Sequence, residues 1–328
     1  MKIVKRIVLW LVVVIAVFVA SSMIYLKFAL PNVGPAPNLK VEPTSKYIAR
    51  GEYLANAVTL CIDCHSKRDW SKFSGPAIAG TFGMGGELFD HKFGFPGVYY
   101  ATNITPEGIH NYTDGELFRV ITTGVSRDGR AMFPVMPYHY YGQMDEQDIL
   151  SIIAYLRTLQ PIRNEVPRSS SDFPMNFIIN TFPHKASFTK LPLKSDLVNY
   201  GRYMTNAAAC IDCHTKTKKG NLIAGLEFGG GREFPFPDGS IVRSSNITPD
   251  EETGIGTWNE DRFLHAFRTH SDSLTLNTIL KPGQFNSIMP WSMYGKMSDE
   301  DLKAIFAYLK TVKPVGNECV IFTRVRKL

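Results

Sequence analysis

The pentapeptide Cys61-Ile62-Asp63-Cys64-His65 recurs unchanged as Cys210-Ile211-Asp212-Cys213-His214. Two cysteines separated by two residues and followed at once by histidine are the attachment signature of c-type haem. Each thiol adds across one vinyl group of the porphyrin, and the next residue is placed to send an imidazole nitrogen to the iron. Two copies in a chain of 328 residues predict two covalently bound haem c groups, with His65 and His214 as proximal ligands. Such a protein moves electrons.

Other chemistries explain the motif less well. A closed zinc site wants four ligands in tetrahedral geometry, and five consecutive residues supply three at most. The two motifs are 149 residues apart, which makes pooling their ligands a poor remedy. A redox-active Cys-x-x-Cys follows a strand and opens a helix in a βαβ unit. The residues before each motif here, Tyr53 to Leu60 and Tyr203 to Ala209, read as helix.

Ile7 to Leu26 is an uncharged, almost wholly apolar run, long enough to cross a bilayer as a helix. Lys2, Lys5 and Arg6 precede it, so the positive-inside bias leaves the N-terminus in the cytoplasm. A cleaved signal has a shorter apolar core. Ala20-Ser21-Ser22 is a weak cleavage site, and an uncleaved anchor is the expectation. Haem c is attached on the outer side of the bacterial inner membrane. The expected location is therefore that membrane, single-pass, with the haem domains in the periplasm.

The net charge of +6 overstates the basic character, because Lys2, Lys5, Arg6 and Lys27 contribute four charges and leave +2 for the rest. Haem propionates would offset that remainder. No basic block of the nucleic-acid kind is present. Lys216, Lys218 and Lys219, just past the second motif, form a solvated loop or a docking patch for an acidic partner.

The two halves read as copies of one unit. Gly51-Glu52-Tyr53-Leu54 matches Gly201-Arg202-Tyr203-Met204, Ile78-Ala79-Gly80 matches Ile223-Ala224-Gly225, and Asn103-Ile104-Thr105-Pro106 matches Asn246-Ile247-Thr248-Pro249. Amphipathic helices follow, opened by a Thr113/Glu116 capping box or by Asn259. The last helix of each half carries an apolar stripe, Ile149, Ile152, Ile153, Leu156 or Leu302, Ile305, Phe306, Leu309, behind an acidic first turn. Pro161 and Pro314 stop these helices. The organisation expected is an anchor at 1–28, a linker at 29–44, haem domains at 45–160 and 195–314, a connector at 161–194 and a tail at 315–328. The connector is too long and apolar for a free linker and is expected to pack across the interface.

A methionine in the sixth iron position gives a carrier of raised potential, whereas an open position gives a catalyst. Met136 and Met289 occupy matching places, as do Met144 and Met297. With Asp145 or Ser298 as N-cap, Met144 or Met297 staples onto Ile149 or Leu302, a structural role. Met136-Pro137-Tyr138 and Met289-Pro290-Trp291 stand in rigid loops without such a role, so Met136 and Met289 are the candidate axial ligands. Asn103 and Asn246 either bind haem propionates or close a turn before the proline. Cys319 has no internal partner once four cysteines hold haem.

Collected in order, Cys-x-x-Cys-His, Asn-Ile-Thr-Pro, Met-Pro-aromatic and the Ala-Tyr-Leu helix make each half resemble the class I cytochrome c unit of bacterial membrane-bound alcohol and gluconate dehydrogenases. The resemblance covers most of 45–160 and 195–314. It implies an all-α fold, two tandem class I cytochrome c domains behind one transmembrane helix, and the methionine before proline as distal ligand. It also implies a periplasmic or membrane dehydrogenase as electron donor and a cytochrome or terminal oxidase as acceptor. Two departures stand out. Those subunits usually carry three haems, and the first half has Glu107-Gly108-Ile109-His110 where the second has Thr253-Gly254-Ile255-Gly256. The alternative is a dihaem peroxidase or another dihaem oxidoreductase, which needs one displaceable sixth ligand where this chain offers methionine twice.

Overall fold

A computed structural model describes residues 1–281 and 283–324. Lys2–Phe28 is one continuous helix with none of its residues buried. Among the described residues it is the one helix long and apolar enough to cross a membrane.

The same order of elements then appears in each half. A leading helix, Ser45–Tyr53 or Leu197–Ala207, is N-capped by the Thr44 or Asp196 side chain. A one-turn helix follows at the haem motif, Cys61–Cys64 or Cys210–Cys213. Next come Asp114–Thr123 with the complete Thr113/Glu116 capping box, and Glu260–Ser271 capped by Asn259. After a short turn of helix, Tyr138–Tyr141 or Trp291–Tyr294, the closing helices Glu146–Leu156 and Asp299–Leu309 begin at Asp145 and Ser298. Met144 and Met297 are fully buried at those starts, as a staple requires.

Each closing helix lies against the leading helix of its own half at backbone contact. A Cβ on Gly51 would fall 1.8 Å from the Ser151 carbonyl oxygen, and one on Gly201 would fall 1.8 Å from that of Ala304. One apolar core runs through both halves, joining Leu54, Ile149 and Ile152 to Met204, Leu302 and Ile305.

Among the described residues there are three small antiparallel sheets that the all-α expectation omits. Leu88–Phe89, Gly97–Tyr100 and Ser170–Ser171 form the first, Thr217–Lys218 with Asn221–Leu222 the second. Glu233–Pro235, Ile241–Arg243 and Phe322–Thr323 form the third, which draws part of the C-terminal tail back onto the chain. The tail's last four residues, 325–328, lie outside the described residues.

Residues 161–194 pack along the first half. Their Ser170–Ser171 strand pairs with Gly97–Tyr100, Phe188 packs on Phe118, and the Leu191 N–H donates to Asp145. The segment meets the second half at Lys194, whose ammonium lies 2.5 Å from Glu300.

Candidate functional site

Each motif helix is aimed by the residue just before its first cysteine. Leu60 has φ 57° and Ala209 φ 50°, both left-handed. That conformation costs a non-glycine residue of order 1 kcal/mol or more and turns the chain sharply out of the leading helix. The matched strain at two equivalent sites marks a shared geometric demand.

His65 Nδ1 donates to the Thr102 carbonyl at 2.6 Å, and His214 Nδ1 to that of Ser245 at 2.8 Å. A carbonyl only accepts, so Nδ1 carries the proton and Nε2 is left bare to ligate a metal. Burial also lowers both imidazole pKa values and favours the neutral ring.

Two features bring the accepting carbonyls into place. Gly85 and Gly230 cross them closely: a Cβ would meet the Thr102 or Ser245 carbonyl carbon at 2.5 Å. Their own N–H groups bond the His65 and His214 carbonyls at 2.8 and 2.7 Å. The asparagines supply the second feature. Asn103 Oδ1 accepts from the Thr105 N–H and hydroxyl while Nδ2 donates to the Ile162 carbonyl. Asn246 Oδ1 accepts from Thr248 in the same way, and its Nδ2 donates to Thr253 and to the Val315 carbonyl. Both amides hold the turn that begins one residue after the histidine's acceptor.

In the first half, Cys61, Cys64, His65 and Met136 line one cavity of about 450 Å³. The donor set fits a covalently held haem. One imidazole has a free nitrogen, one thioether shares its cavity, and two thiols stand beside them. Burial raises the thiol pKa values, Cys61 to about 11 and Cys64 to about 12, so both stand as neutral thiols at physiological pH. Among the described residues no three His, Cys, Asp or Glu side chains gather to hold a metal ion. The same cavity wall carries Lys27, Arg130 and Arg168, cations suited to a haem's carboxylates. Neither the repeat nor the motifs single these three out.

In the second half Cys210 and His214 are partly covered and Cys213 is exposed. Met289 is half-buried and packs against the common core. Matched tyrosines tie each methionine loop to its motif: Tyr141 Oη donates to the Thr59 carbonyl, and Tyr294 Oη to that of Ala208 at 2.5 Å. Both acceptors lie two residues before the first cysteine. The tyrosines stand at equal offsets after Met136 and Met289, and that was the signal available in the sequence. Tyr138 is fully buried, while the Trp291 indole donates to Ser287 at 3.1 Å. Cys319 lies beside Asn317 and Gly229.

Residues 198–313 match the cytochrome c family model. Over 302 residues the chain is 27% identical to the fructose dehydrogenase cytochrome subunit of Gluconobacter japonicus, covering 84% of this chain and 56% of that protein. It is 25% identical to the cytochrome c subunit of the quinone alcohol dehydrogenase of Gluconacetobacter polyoxogenes, over 83% of this chain and 57% of the relative. A diheme cytochrome c-type protein of Cereibacter sphaeroides is 26% identical over 78% of this chain and 82% of its own length. The chain thus spans somewhat more than half the length of the dehydrogenase subunits it matches.

Proposed function

We propose that this chain is a membrane-anchored dihaem cytochrome c that passes electrons from a dehydrogenase to a downstream cytochrome or terminal oxidase. Each half is a class I cytochrome c unit, with Cys61 and Cys64 or Cys210 and Cys213 as the thioether attachments. His65 and Met136 would hold one haem iron, His214 and Met289 the other. A bound haem c supplies the one-electron couple of its iron. The protein's own residues hold, orient and shield it.

The observation that carries the reading is that His65, its Nδ1 already committed to Thr102, lines the same cavity as Met136. With His65 and Met136 both holding its iron, a bound haem would supply one-electron transfer, and these residues would leave no position for a substrate. Lys27 in the last turn of the apolar helix, with Leu30 and Pro31 just past it, also lines that cavity. This supports a first haem close to the outer membrane surface, facing membrane-bound partners. The dehydrogenase donor is inferred from the names of the relatives.

Optical titration of the purified holoprotein tests the proposal. Two haems per chain should keep the charge-transfer band of methionine-bound ferric iron and resist both cyanide and peroxide. A high-spin fraction that binds peroxide would replace the carrier with a peroxidase.

A further inference from the structure

The loop that carries Met289 is held by hydrogen bonds from the other half of the molecule. Ser74 Oγ donates to the Met289 carbonyl at 2.6 Å and shares with that carbonyl the Trp291 N–H, which lies 3.3 Å from the hydroxyl and 2.8 Å from the carbonyl. The Ser74 N–H donates to Asn286 Oδ1 at 2.8 Å, and the same oxygen accepts from the Ser287 N–H at 2.7 Å. Ser287 Oγ in turn accepts from the Met289 N–H at 3.1 Å. Both backbone polar groups of Met289 are thus bonded within one network centred on a serine 215 residues away.

Ser74 is itself rigidly presented. It is fully buried and left-handed, with φ 63°. Arg68 fixes its conformation by donating to the Ser74 and Gly75 carbonyls, each at 2.7 Å, while stacking on Trp70. The third polar contact of that guanidinium is Asp63, 3.2 Å away, inside the first haem motif. Flanking bonds brace the seam: the Phe73 N–H donates to the Thr278 carbonyl and the Leu280 N–H to that of Ser71. The arrangement is not reciprocal. Among the described residues no hydrogen bond from the second half reaches residues 132–137, which carry Met136.

We propose that Ser74 is a positioning residue for Met289, so that the sixth ligand of the second iron is set by the first half of the chain. This rests on the reading of Met289 as that ligand. A thioether–iron bond is weak enough that a loop cut from its Ser74 anchor would let sulfur leave and an external ligand enter, even with the Trp291 N–H still on the Met289 carbonyl. Arg68 links this control to the first haem motif through Asp63.

The test uses ferric full-length holoprotein bearing Ser74→Gly, which suits the positive φ and deletes only the hydroxymethyl group, with Ser74→Ala alongside. Met289→Ala and Met136→Ala are the references. The expected result is a charge-transfer band reduced towards half, as in Met289→Ala, and cyanide binding at one haem at least tenfold tighter than in the parent. Combining Ser74→Gly with Met136→Ala should abolish the remaining band. A full band and intact cyanide resistance in both Ser74 variants, with the band halved in Met289→Ala, would overturn the positioning role alone. A full band in Met289→Ala would overturn the ligand assignment and this inference with it. A band loss matched by loss of haem or helix content in both variants would mark a structural role and also overturn it.

Discussion

The Tyr203 phenol donates to the Asp148 carboxylate at 2.7 Å, from the second half of the chain to the first. The bond has a mirror partner, because Tyr53 in the first half donates to Asp301 in the second. Each phenolic oxygen also accepts the N–H of the opposite closing helix's N-cap, Asp145 for Tyr203 at 2.9 Å and Ser298 for Tyr53 at 3.1 Å. Two repeats therefore exchange equivalent side chains across a pseudo-two-fold, as two copies do in an isologous dimer. The exchange also gives hydrogen-bond donors to buried carboxylates. Asp148 is held by Arg50 as well, and Asp301 by Tyr200.

Alkaline titration should expose this lock. Burial first, and Asp301 second, push the Tyr53 phenol up to about 12, against about 10 for a free tyrosine. The raised value means that the stabilisation is complete below pH 10 and is lost as pH rises through 12. Chemical denaturation midpoints are expected to fall across that window, and Tyr53→Phe should make the fall shallower. At neutral pH the same substitution should cost about 1–3 kcal/mol, since it strips a hydrogen bond from a carboxylate. A variant with the parent's pH profile would show that Tyr53 contributes nothing there.

Asn103→Ala separates two roles for the amide. Loss of the turn next to Thr102 should lower stability by about 1–3 kcal/mol, measured by denaturant unfolding of the holoprotein. It should also loosen the His65 ring, seen as broadened haem resonances. If the amide served a propionate instead, the reduction potential would move while stability stayed near the parent value.

How much of this was legible in the sequence depends on the range of the interaction. The motifs, the N-caps at Thr113, Asn259, Asp145 and Ser298, and the Met144 and Met297 staples are local, and they are where the pattern put them. The Tyr53 and Tyr203 landmarks were visible as repeats, yet their partners lie 248 and 55 residues away and leave no periodicity to read. The two- to four-residue strands escaped for the same reason: backbone pairing of Gly97 with Ser171 needs no alternation of side chains. The place of Ser74 is held in the other repeat by Lys219, left-handed as well at φ 53° but without a hydroxyl, so comparison of the repeats gave no sign of the role.

Methionine substitutions should split by position. Met136→Ala is expected to remove about half of the ferric charge-transfer band and to open one haem to cyanide, with a modest change in stability. Met144→Ala should do the reverse. Met144 is fully buried, so truncation should cost about 2–5 kcal/mol while the band keeps full amplitude. Absorbance near the band and a denaturation curve on each variant decide the matter. A band lost in Met144→Ala but kept in Met136→Ala would exchange the two assignments.

The glycines at 51 and 201 offer the sharpest stability test. Each allows a leading helix to touch the backbone of its closing helix, and an added Cβ would lie 1.8 Å from a carbonyl oxygen. No rotamer change relieves that overlap, because the obstacle is backbone, so the helices must separate. In an exposed helix Gly→Ala would stabilise by about 1 kcal/mol. Here overpacking should dominate and destabilise by about 1–3 kcal/mol or more. The penalty should appear at both sites, since the contact is the same. Spreading the closing helix from its partner would also disturb the methionine loop just ahead of it. Gly51→Ala should therefore weaken the charge-transfer band of the first haem before global unfolding begins, and Gly201→Ala that of the second. Thermal melts followed at the band and in the far-ultraviolet test this, and coincident melts at parent temperature would show that the helices do not need to touch.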